Sequence, residues 1–561
     1  MRVADYIADF IAKLGVRHVF MMSGGGSIYL DDGIACNKKI MPVCVRNEAT
    51  APMMAEAYSR LNQNLGVVYV TTGPGGANAV SGLAEAWVDS APILIISGQV
   101  NRKYASYNSK IKNLRNFGTQ EINIIEIVRS ITKYAEMIND PDSIRYHLEK
   151  AIYLAKSGRP GPVWLDIPLD IQSAMVDESK LRCFVPEEKQ ISLDLDTLIN
   201  KVLKLLQNAK KPLIIAGQGI RISRAIPEFK SLVELLSVPV IFSRLGQDIL
   251  PFSYKNNFGH GGTKGLRFTG KIMEESDLII SIGSRLAVPF VGEKLDVFSD
   301  TAKVVMVDID EAELAKPAIK IDLPIKIDAK LFIVGLSNKL KNARLQDYKN
   351  WLSVCQEYKN KYPLTSQEQK KDPIDLYYFV SRLDALSSEK NIFVSDAGSS
   401  YYVAGQALTF EKGQREITSG AFASMGLSIS LAIGCCFANK NAQVLAITGD
   451  GSLELNIQEL KTMSYYDLEI KLFVINNGGY VSIRNTQDKL CDGRYINSDQ
   501  ANCEELLDFK KIAEAFDLPY FLIEKQEEID EKVFQIMKQK GPAFVEVVCD
   551  NKQKIIEPIK A

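Results

Sequence analysis

An acidic residue between two glycines and a pair of asparagines each follow an apolar run near the end of the chain. Asp450 comes after QVLAIT and Asn477 after KLFVI, which read as neighbouring strands. Because the carboxyl ends of parallel strands meet at one sheet edge, the two side chains should lie together. A carboxylate, an amide oxygen and a backbone carbonyl suit Mg²⁺, and the flanking glycines allow backbone N–H groups to approach a phosphate. The pattern therefore predicts a site for Mg²⁺ and a diphosphate.

A purely structural alternative exists for the same residues. Asp450 would then be a helix N-cap, and Asn477 with the following glycine would be a turn. Both ends of the pattern must arise independently for this alternative to hold, so the ligand interpretation is favoured.

The elements that must position these residues alternate between short β-branched runs and helical patterns. This alternation predicts an α/β fold built from doubly wound, largely parallel sheets. Polar stretches after residue 172 and before Pro373 predict three domains, at 1–185, 190–345 and 370–550.

Two βαβ patterns carry a T-G-x-G turn at equivalent places. The first turn is Thr72-Gly73-Pro74-Gly75 and the second is Thr448-Gly449-Asp450-Gly451. The repetition indicates either a duplicated domain or the chance likeness of any two βαβ units. In the middle segment, Gly217-Gln218-Gly219 opens a helix without the third glycine of a dinucleotide fingerprint, so a nucleotide site and simple packing both remain open.

Composition excludes several classes of protein. The 561 residues include 67 basic and 68 acidic side chains, so nothing favours nucleic acid or an anionic membrane as a partner. No apolar run reaches the roughly 18 residues of a membrane span, and the amphipathic start is not expected to be a signal peptide. Three histidines cannot supply a His-rich metal site. Nine cysteines without metal-binding spacing predict reduced thiols and a cytoplasmic location.

The spacing of GDG and NN resembles the cofactor motif of the decarboxylating thiamine diphosphate (ThDP) enzymes, in particular the large subunit of acetolactate synthase. Matching stretches extend over nearly the whole chain: RNEATAPMMAEAYSR, TTGPGGANAVSGLAEAWVDSAPILIISGQV, SGRPGPVWLDIP, GAFASMGLSISLAIG and GDGSLELNIQEL. The resemblance implies the ThDP-binding fold, with pyrimidine-binding (PYR), central and diphosphate-binding (PP) domains.

The resemblance also implies roles for individual residues. The metal ligands would be Asp450, Asn477 and the carbonyl of Gly479. The diphosphate and its surroundings would be contacted by residues of three turns, namely Gly398, Ser399, Ser400, Gly449, Gly451, Ser452 and Tyr480.

At the other end of the cofactor, Glu48 matches the family's glutamate. A carboxylic acid that hydrogen-bonds N1′ of the aminopyrimidine promotes loss of the C2 proton. Met425 would wedge between the two rings, and the carbonyl of Ala423 would accept from the 4′-amino group. Because Glu48 and Asp450 belong to different domains, the resemblance implies a site between two chains of a homodimer or homotetramer.

Further residues fall in stretches that line the substrate side in the family. They are Gly24, Gly25, Gly26, Asn78, Gln99 and Gln120, of which Gly25 and Gln120 are expected to act in catalysis and Asn78 to contact the cofactor.

Four positions depart from acetolactate synthase. Pro289 stands where the family has an arginine thought to recognise a second 2-oxo acid, and Leu169 replaces a lysine. Thr486 replaces a tryptophan, and Thr119 replaces a phenylalanine. Proline cannot provide the bidentate fork of an arginine, so the acceptor pocket is expected to differ.

The predicted activity is decarboxylation of a 2-oxo acid, with pyruvate as the first candidate, and transfer of the acyl carbanion to a carbonyl acceptor. Three alternatives remain open: a sugar-derived ketone or aldehyde as acceptor, a non-ligating decarboxylase, and a catalytically silent homologue. The predicted cofactors are ThDP and Mg²⁺. FAD, a structural cofactor in acetolactate synthases, is left open because the family's F-D-D-R element is missing.

Overall fold

The computed structural model describes residues 1–187, 194–292, 301–317, 319–499, 501 and 506–559. Over these residues the chain forms three six-stranded sheets in which the paired strands are parallel and helices lie on the faces. The predicted α/β fold with three parallel sheets is confirmed. The predicted domain limit at residue 190 lies outside the described residues, and the three domain boundaries stay predictions.

The first sheet lies in the N-terminal part of the chain. Its strands are β1 (His18–Met21), β2 (Met41–Cys44), β3 (Gly66–Val70), β4 (Ile93–Gln99), β5 (Tyr134–Met137) and β6 (Val163–Pro168). Its helices are α1 (Val3–Lys13), α2 (Ile28–Cys36), α3 (Thr50–Asn62), α4 (Pro74–Val88), α5 (Ile124–Val128), α6 (Ile144–Lys156) and α7 (Leu169–Gln172). The strands are ordered β2-β1-β3-β4-β6-β5.

The central sheet reverses its winding direction in the middle. Its strands are β7 (Pro212–Ala216), β8 (Val240–Phe242), β9 (Asn257–His260), β10 (Leu278–Ile282), β11 (Lys303–Asp308) and β12 (Leu323–Lys326). The helices are α8 (Leu195–Asn208), α9 (Gly219–Ile222), α10 (Ile226–Leu236), α11 (Thr269–Glu275), α12 (Val288–Val291), α13 (Glu311–Leu314), α14 (Ala329–Leu340) and α15 (Lys349–Lys361). The order β12-β11-β10-β7-β8-β9 places a topological switch point between β10 and β7.

The third sheet lies in the C-terminal part. Its strands are β13 (Asn391–Ser395), β14 (Arg415–Ile417), β15 (Gln443–Gly449), β16 (Ile470–Asn476), β17 (Tyr520–Ile523) and β18 (Ala543–Val548). The helices are α16 (Leu376–Leu386), α17 (Gly398–Ala407), α18 (Leu427–Ala438), α19 (Asp450–Glu454), α20 (Glu459–Tyr465), α21 (Val481–Leu490), α22 (Phe509–Ala515) and α23 (Ile529–Lys538). The strand order is β14-β13-β15-β16-β18-β17.

The first and third sheets have the same topology. When the strands are numbered within each sheet, both read 2-1-3-4-6-5, and the T-G-x-G turn comes at the end of the third strand in each. This identity favours duplication over chance likeness.

Helices α3 and α18 join these two domains within one chain. Helix α18 is apolar around most of its circumference and is buried along nearly its whole length, as expected for a helix covered on all sides. A Cβ at Gly434 of α18 would lie 2.2 Å from the carbonyl oxygen of Met54 in α3, so the close approach requires glycine. No helix among the described residues is long and apolar enough to cross a membrane.

Candidate active site

Asp450 lies at the carboxyl end of β15, at the centre of the third sheet, with its side chain buried. One carboxylate oxygen accepts from the backbone N–H groups of Asn477 and Gly479, both at 3.0 Å, and the other accepts from Gly451 at 2.8 Å. Burial raises the pKa of Asp450, and these three N–H groups oppose the shift. The predicted meeting of Asp450 and the Asn477 turn at one sheet edge is therefore found.

The turn after β16 holds its carbonyls in place through a buried arginine. Arg484, in α21, donates to the carbonyl oxygens of Asn477 at 3.1 Å and Gly478 at 2.7 Å. The backbone φ of Gly479 is +95°, a region that favours glycine, and its carbonyl accepts from Val481 at 2.9 Å. No group of three or more His, Cys, Asp or Glu in the described ranges could hold a metal. A cation at Asp450 would thus need amide and carbonyl oxygens, which this turn supplies.

A second buried carboxylate, Asp396, ties two of the predicted diphosphate turns together. It accepts from the hydroxyls of Thr448 at 2.8 Å, Ser452 at 2.6 Å and Ser400 at 3.1 Å. Burial raises the pKa of Asp396, and the hydroxyl donors oppose the shift. The Ser400 and Ser452 hydroxyls therefore face inward, so these residues would meet a phosphate through their backbone N–H groups.

The open side of this edge is formed by the starts of two helices. Gly398 opens α17 with a φ of +59°, and Ser399 beside it is half-buried. Gly449 and Gly451 flank Asp450, and the backbone N–H of Tyr480 donates to the Ser498 carbonyl at 3.1 Å. The residues predicted for the diphosphate end thus lie on adjoining turns of one sheet edge.

The segment that carries Ala423 and Met425 is held by the N-terminal domain of the same chain. The Ser424 hydroxyl donates to Glu85 at 2.9 Å, and the Gly420 N–H donates to Asp89 at 2.7 Å. Ala423 has a φ of +54° and donates its N–H to the Ser419 hydroxyl at 2.7 Å. A non-glycine residue in this region is strained, and strain of this kind occurs at ligand-contacting positions.

Glu48 lies at the start of α3 with 8% of its surface exposed. Its carboxylate accepts from the Asn78 side-chain amide at 3.0 Å, and a Cβ at Gly75 would lie 3.4 Å from the other carboxylate oxygen. The segment just before Glu48 is fixed by Glu459, which accepts from the N–H groups of Arg46 at 2.9 Å and Asn47 at 3.1 Å. Glu48 and Asn78 are therefore brought together as a pair.

The predicted substrate-side residues cluster around the first T-G-x-G turn. Gly24 packs on Thr71 and Gly26 on Thr72, and Gly25 is exposed between them. The Gln99 side chain accepts from the Thr72 hydroxyl at 2.8 Å. Exposed Gln120 places its carbonyl oxygen against Gly73, where an added Cβ would be only 1.7 Å away.

The four family departures lie in all three domains of the chain. Thr119 is exposed beside the first turn, and Leu169 begins α7 in the N-terminal domain. Thr486 is exposed on α21, whereas Pro289 lies in the central domain, where its carbonyl accepts from Thr263 at 2.9 Å. Their contribution to a common pocket remains a prediction.

Three functional candidates were missed from the sequence. Asp396, Glu459 and Arg484 are single charged residues without a spacing pattern, and each acts on a partner brought close only by folding. The buried cluster of Glu56, Arg60, Glu85 and Asp89 is a fourth such feature. Burial raises the pKa of all three of its carboxyls, and Arg60 opposes the shift at Glu56 and Asp89.

The central sheet opens onto a large cleft at its switch point. The cavity has a volume of about 1480 Å³ and is lined by residues of all three domains, among them Gln218, Gly219, Ser284, Arg285 and Ala423. A Cβ at Gly217 would lie 2.0 Å from the carbonyl oxygen of Gly283, so close packing alone accounts for that glycine. The cavity exceeds the roughly 300–1,000 Å³ of drug-sized sites and has room for a dinucleotide.

Comparison with known proteins agrees with this arrangement. Profiles for the thiamine pyrophosphate enzymes match residues 1–127 (N-terminal TPP binding domain), 199–336 (central domain) and 396–547 (C-terminal TPP binding domain). The acetolactate synthase large subunit of Cyanidium caldarium is 30% identical over 99% of this chain and 95% of its own length. The corresponding protein of Lactococcus lactis is 30% identical over 100% and 94%, and the chloroplastic acetolactate synthase of Arabidopsis thaliana is 29% identical over 99% and 82%. The chain therefore belongs to the thiamine diphosphate-dependent enzymes and resembles the large subunit of acetolactate synthase over its whole length.

Proposed function

We propose that the chain decarboxylates a 2-oxo acid, pyruvate in the first place, and transfers the acyl group to a carbonyl acceptor with the help of ThDP and Mg²⁺. The bond between the keto carbon and the carboxylate breaks and CO₂ leaves. The electron pair left on the acyl carbon forms a new bond to the acceptor carbonyl carbon, whose oxygen takes up a proton. The product is a 2-hydroxy ketone.

This proposal rests on one observation: two sheets have the same strand order but carry different residues at their edges. One sheet offers Asp450 and the Asn477 turn, an oxygen-rich edge that fits a metal-bound diphosphate. The other offers Glu48 paired with Asn78, a buried carboxyl that fits a ring nitrogen. A cofactor with a charged and a heterocyclic end matches this division.

The protein residues have distinct tasks in the proposed reaction. When bound, ThDP supplies the electron sink that allows a 2-oxo acid to lose CO₂. Asp450, Asn477 and the Gly479 carbonyl would hold Mg²⁺, and backbone N–H groups near Gly398, Gly451 and Ser452 would hold the diphosphate. Glu48 would keep a proton against the ring nitrogen, with Asn78 fixing the carboxyl orientation. The Ala423 carbonyl and Met425 would orient the ring.

We also propose that two chains complete each site, as a homodimer or homotetramer. Within one chain, Glu48 contacts the second turn of α4 through Asn78, whereas the segment carrying Ala423 contacts the last turn and the C-cap of α4 through Glu85 and Asp89. These contact residues are separated by about 10–16 Å along the helix axis. A second chain would bring the two ends of the cofactor site together.

Ligation is favoured over simple decarboxylation because no imidazole is placed to deliver a proton. His18 is buried and His260 is half-buried, and burial lowers the pKa of each, to about 4 and about 3. His147 is bonded to Tyr134 at 2.6 Å, and partial burial lowers its pKa to about 4. The non-ligating decarboxylase remains the second candidate, and release of free aldehyde without a ligated product would establish it.

The acceptor is proposed to be an aldehyde or ketone rather than a second 2-oxo acid, since Pro289 and Leu169 replace cations. The central cleft is large enough for FAD. The absorption spectrum of the purified protein will show whether FAD is bound. The cytoplasmic location stays a prediction.

The test is incubation with ThDP, Mg²⁺ and ¹³C-labelled pyruvate together with a panel of aldehydes, ketones and 2-oxo acids, followed by mass analysis. Labelled CO₂ and a 2-hydroxy ketone are expected, and both should require Mg²⁺. Absence of CO₂ from every 2-oxo acid tested would contradict the proposal and favour a catalytically silent homologue. If pyruvate proves to be much the best acceptor, the proposal of an altered acceptor pocket is wrong.

A further inference from the structure

The connection that follows β4 is strongly basic. Residues 101–120, here called the basic loop, contain five cationic side chains and no acidic one, although the whole chain is nearly neutral. The cations are Arg102, Lys103, Lys110, Lys112 and Arg115. A charge excess of this size within twenty residues creates a local positive field.

Most of these charges are not neutralised by neighbours. Arg102 is paired with Asp170, its Nε lying 2.7 Å from a carboxylate oxygen. In the part of the chain that the structure describes, the other four cations form no salt bridge, and Lys103 instead lies 4.7 Å from the centre of the Tyr104 ring. Lys110, Lys112 and Arg115 are exposed to solvent. They are available for an anion.

Both ends of the basic loop lie at the first T-G-x-G turn. Gln99, just before the loop, accepts from the Thr72 hydroxyl at 2.8 Å. At the other end, the Gln120 carbonyl packs directly on Gly73. This turn opens α4, whose first turns carry Asn78, the partner of Glu48. The loop therefore borders the edge where the proposed reaction takes place.

The basic loop is fixed at its base rather than extended into solvent. Glu121 is buried and accepts from the Ser106 N–H at 3.2 Å, the Ser106 hydroxyl at 2.9 Å and the Phe117 N–H at 2.7 Å. The Asn116 side chain donates to the Glu121 carbonyl at 2.8 Å. A loop folded in this way holds its cations in one region, which lowers the ordering cost of binding a ligand.

Exposed aromatic rings lie among the cations. Tyr104 and Phe117 form an edge-to-face pair with centroids 6.1 Å apart, and they are 43% and 56% exposed. Tyr107 is 37% exposed. Cations that bind phosphate oxygens, next to rings that pack on a sugar or a base, suit an organic phosphate better than an inorganic ion.

We infer that the basic loop binds phosphate groups of the acceptor, so that the acceptor is a phosphorylated ketone or aldehyde. The inference rests on the proposed function and narrows its substrate class. Pro289 and Leu169 stand where the related family has cations, so neither residue can pair with a small carboxylate. The basic loop instead presents several cationic side chains that can pair with a larger anion. The phosphate anchors the acceptor and is not transferred, so its ester bonds stay intact while the carbonyl carbon gains the acyl group.

Binding to the ThDP- and Mg²⁺-saturated protein tests the inference without relying on turnover. Dihydroxyacetone phosphate and uridine diphosphate are titrated by calorimetry, with dihydroxyacetone as the uncharged counterpart. The loop variant is K110Q/K112Q/R115Q. The matched control, K201Q/K204Q/K341Q, removes three exposed cations without ion pairs from described residues of the central domain.

At least one phosphorylated probe is expected to bind the unmodified protein and the control, and dihydroxyacetone to bind neither. The loop variant should bind about tenfold more weakly, with a reduced salt dependence, because three exposed charge pairs are lost. Much tighter binding of uridine diphosphate would identify a nucleotide-linked acceptor, and tighter binding of dihydroxyacetone phosphate a sugar phosphate. No binding of either probe, or equal binding by the loop variant, overturns the inference.

Turnover separates this inference from the proposed function. CO₂ release from pyruvate in the loop variant should match that of the control, because Gln120 is unchanged and, among the described residues, Lys110, Lys112 and Arg115 show no hydrogen bond or salt bridge to Glu48 or Asp450. If CO₂ release is absent in all proteins but phosphorylated probes bind through the loop, the proposed function fails while the anion site stands. If CO₂ is released and no probe binds, only the loop inference fails.

Discussion

The N-terminal and C-terminal domains share one strand order, yet their T-G-x-G turns differ at the residue between the glycines. In the C-terminal turn that residue is Asp450, which is buried and held by three backbone N–H groups. In the N-terminal turn it is Pro74, which is exposed at the start of α4. Proline suits the first position of a helix but donates and accepts nothing from its side chain. The same fold therefore carries an acidic residue in the turn of one domain and an uncharged residue in the equivalent turn of the other.

Behind the two turns the domains remain alike. The Thr448 hydroxyl donates directly to the buried carboxylate of Asp396, at 2.8 Å. The Thr72 hydroxyl donates to Gln99, whose amide donates in turn to the buried carboxylate of Asp166, at 3.0 Å. In both domains the threonine of the turn is thus linked to a buried carboxylate. The residue between the two glycines therefore differs on a framework that is alike in the two domains.

The largest expected effect tests the N-terminal half. Replacing Glu48 by Gln removes the proton that the proposed function assigns to this residue, and kcat should fall by about 10²–10⁴. ThDP affinity should change little because the C-terminal edge is intact. Pre-steady-state CO₂ release and ThDP titration measure the two quantities. E126Q, at an exposed glutamate of α5, serves as control, and an E48Q protein with unchanged kcat would refute the role of Glu48.

The next effect tests the C-terminal half. D450N keeps the shape of the side chain but removes the carboxylate that the proposed function assigns to the metal, so Mg²⁺ should support ThDP binding about 100-fold more weakly. ThDP binding, followed by the quenching of protein fluorescence at increasing Mg²⁺ concentrations, measures this change in affinity. D488N, at an exposed aspartate of α21, should bind normally. Equal Mg²⁺ requirements in D450N and the unmodified protein would show that the cation does not bind here.

The shared internal support leads to a prediction on pH. Burial raises the pKa of Asp166 to about 7, whereas an unfolded Asp titrates near 3.8. Between about pH 4 and 7 the folded chain therefore holds a proton that the unfolded chain has lost, so stability falls as pH rises over this range and levels off above pH 7. D166N mimics the protonated form, so it should lack this fall of about 2 kcal/mol. Thermal unfolding from pH 5 to 8 measures the slopes, with D142N as an exposed control that should keep the original slope.

The sequence was sufficient to place Asp450 and Asn477 together, because their spacing fits two successive parallel strands. It also predicted the α/β fold and the likeness of the two T-G-x-G units. The inner contacts could not be predicted in this way. Glu459 and Asn47 meet across 412 residues of sequence, and no local pattern marks either of them.

Ser400 and Ser452 illustrate a second limit. The family resemblance implies that both residues contact a diphosphate. In the structure both hydroxyls donate to Asp396. The presence of a serine at a given spacing does not reveal which way its hydroxyl points, because that direction depends on a buried acceptor brought close by folding.

The smallest expected effect concerns Asn78, whose proposed role is to orient Glu48. Its amide donates to the Glu48 carboxyl group at 3.0 Å, and a hydrogen bond of this kind contributes about 0.5–1.5 kcal/mol. Because water can replace part of this contribution at an exposed position, N78A should lower kcat only about tenfold and leave ThDP affinity unchanged. N62A, at an exposed asparagine that ends α3, is the matched control. A larger loss in N78A than in E48Q would mean that Asn78 contacts the cofactor itself, and the N-terminal edge would then bind its ligand through two side chains instead of one.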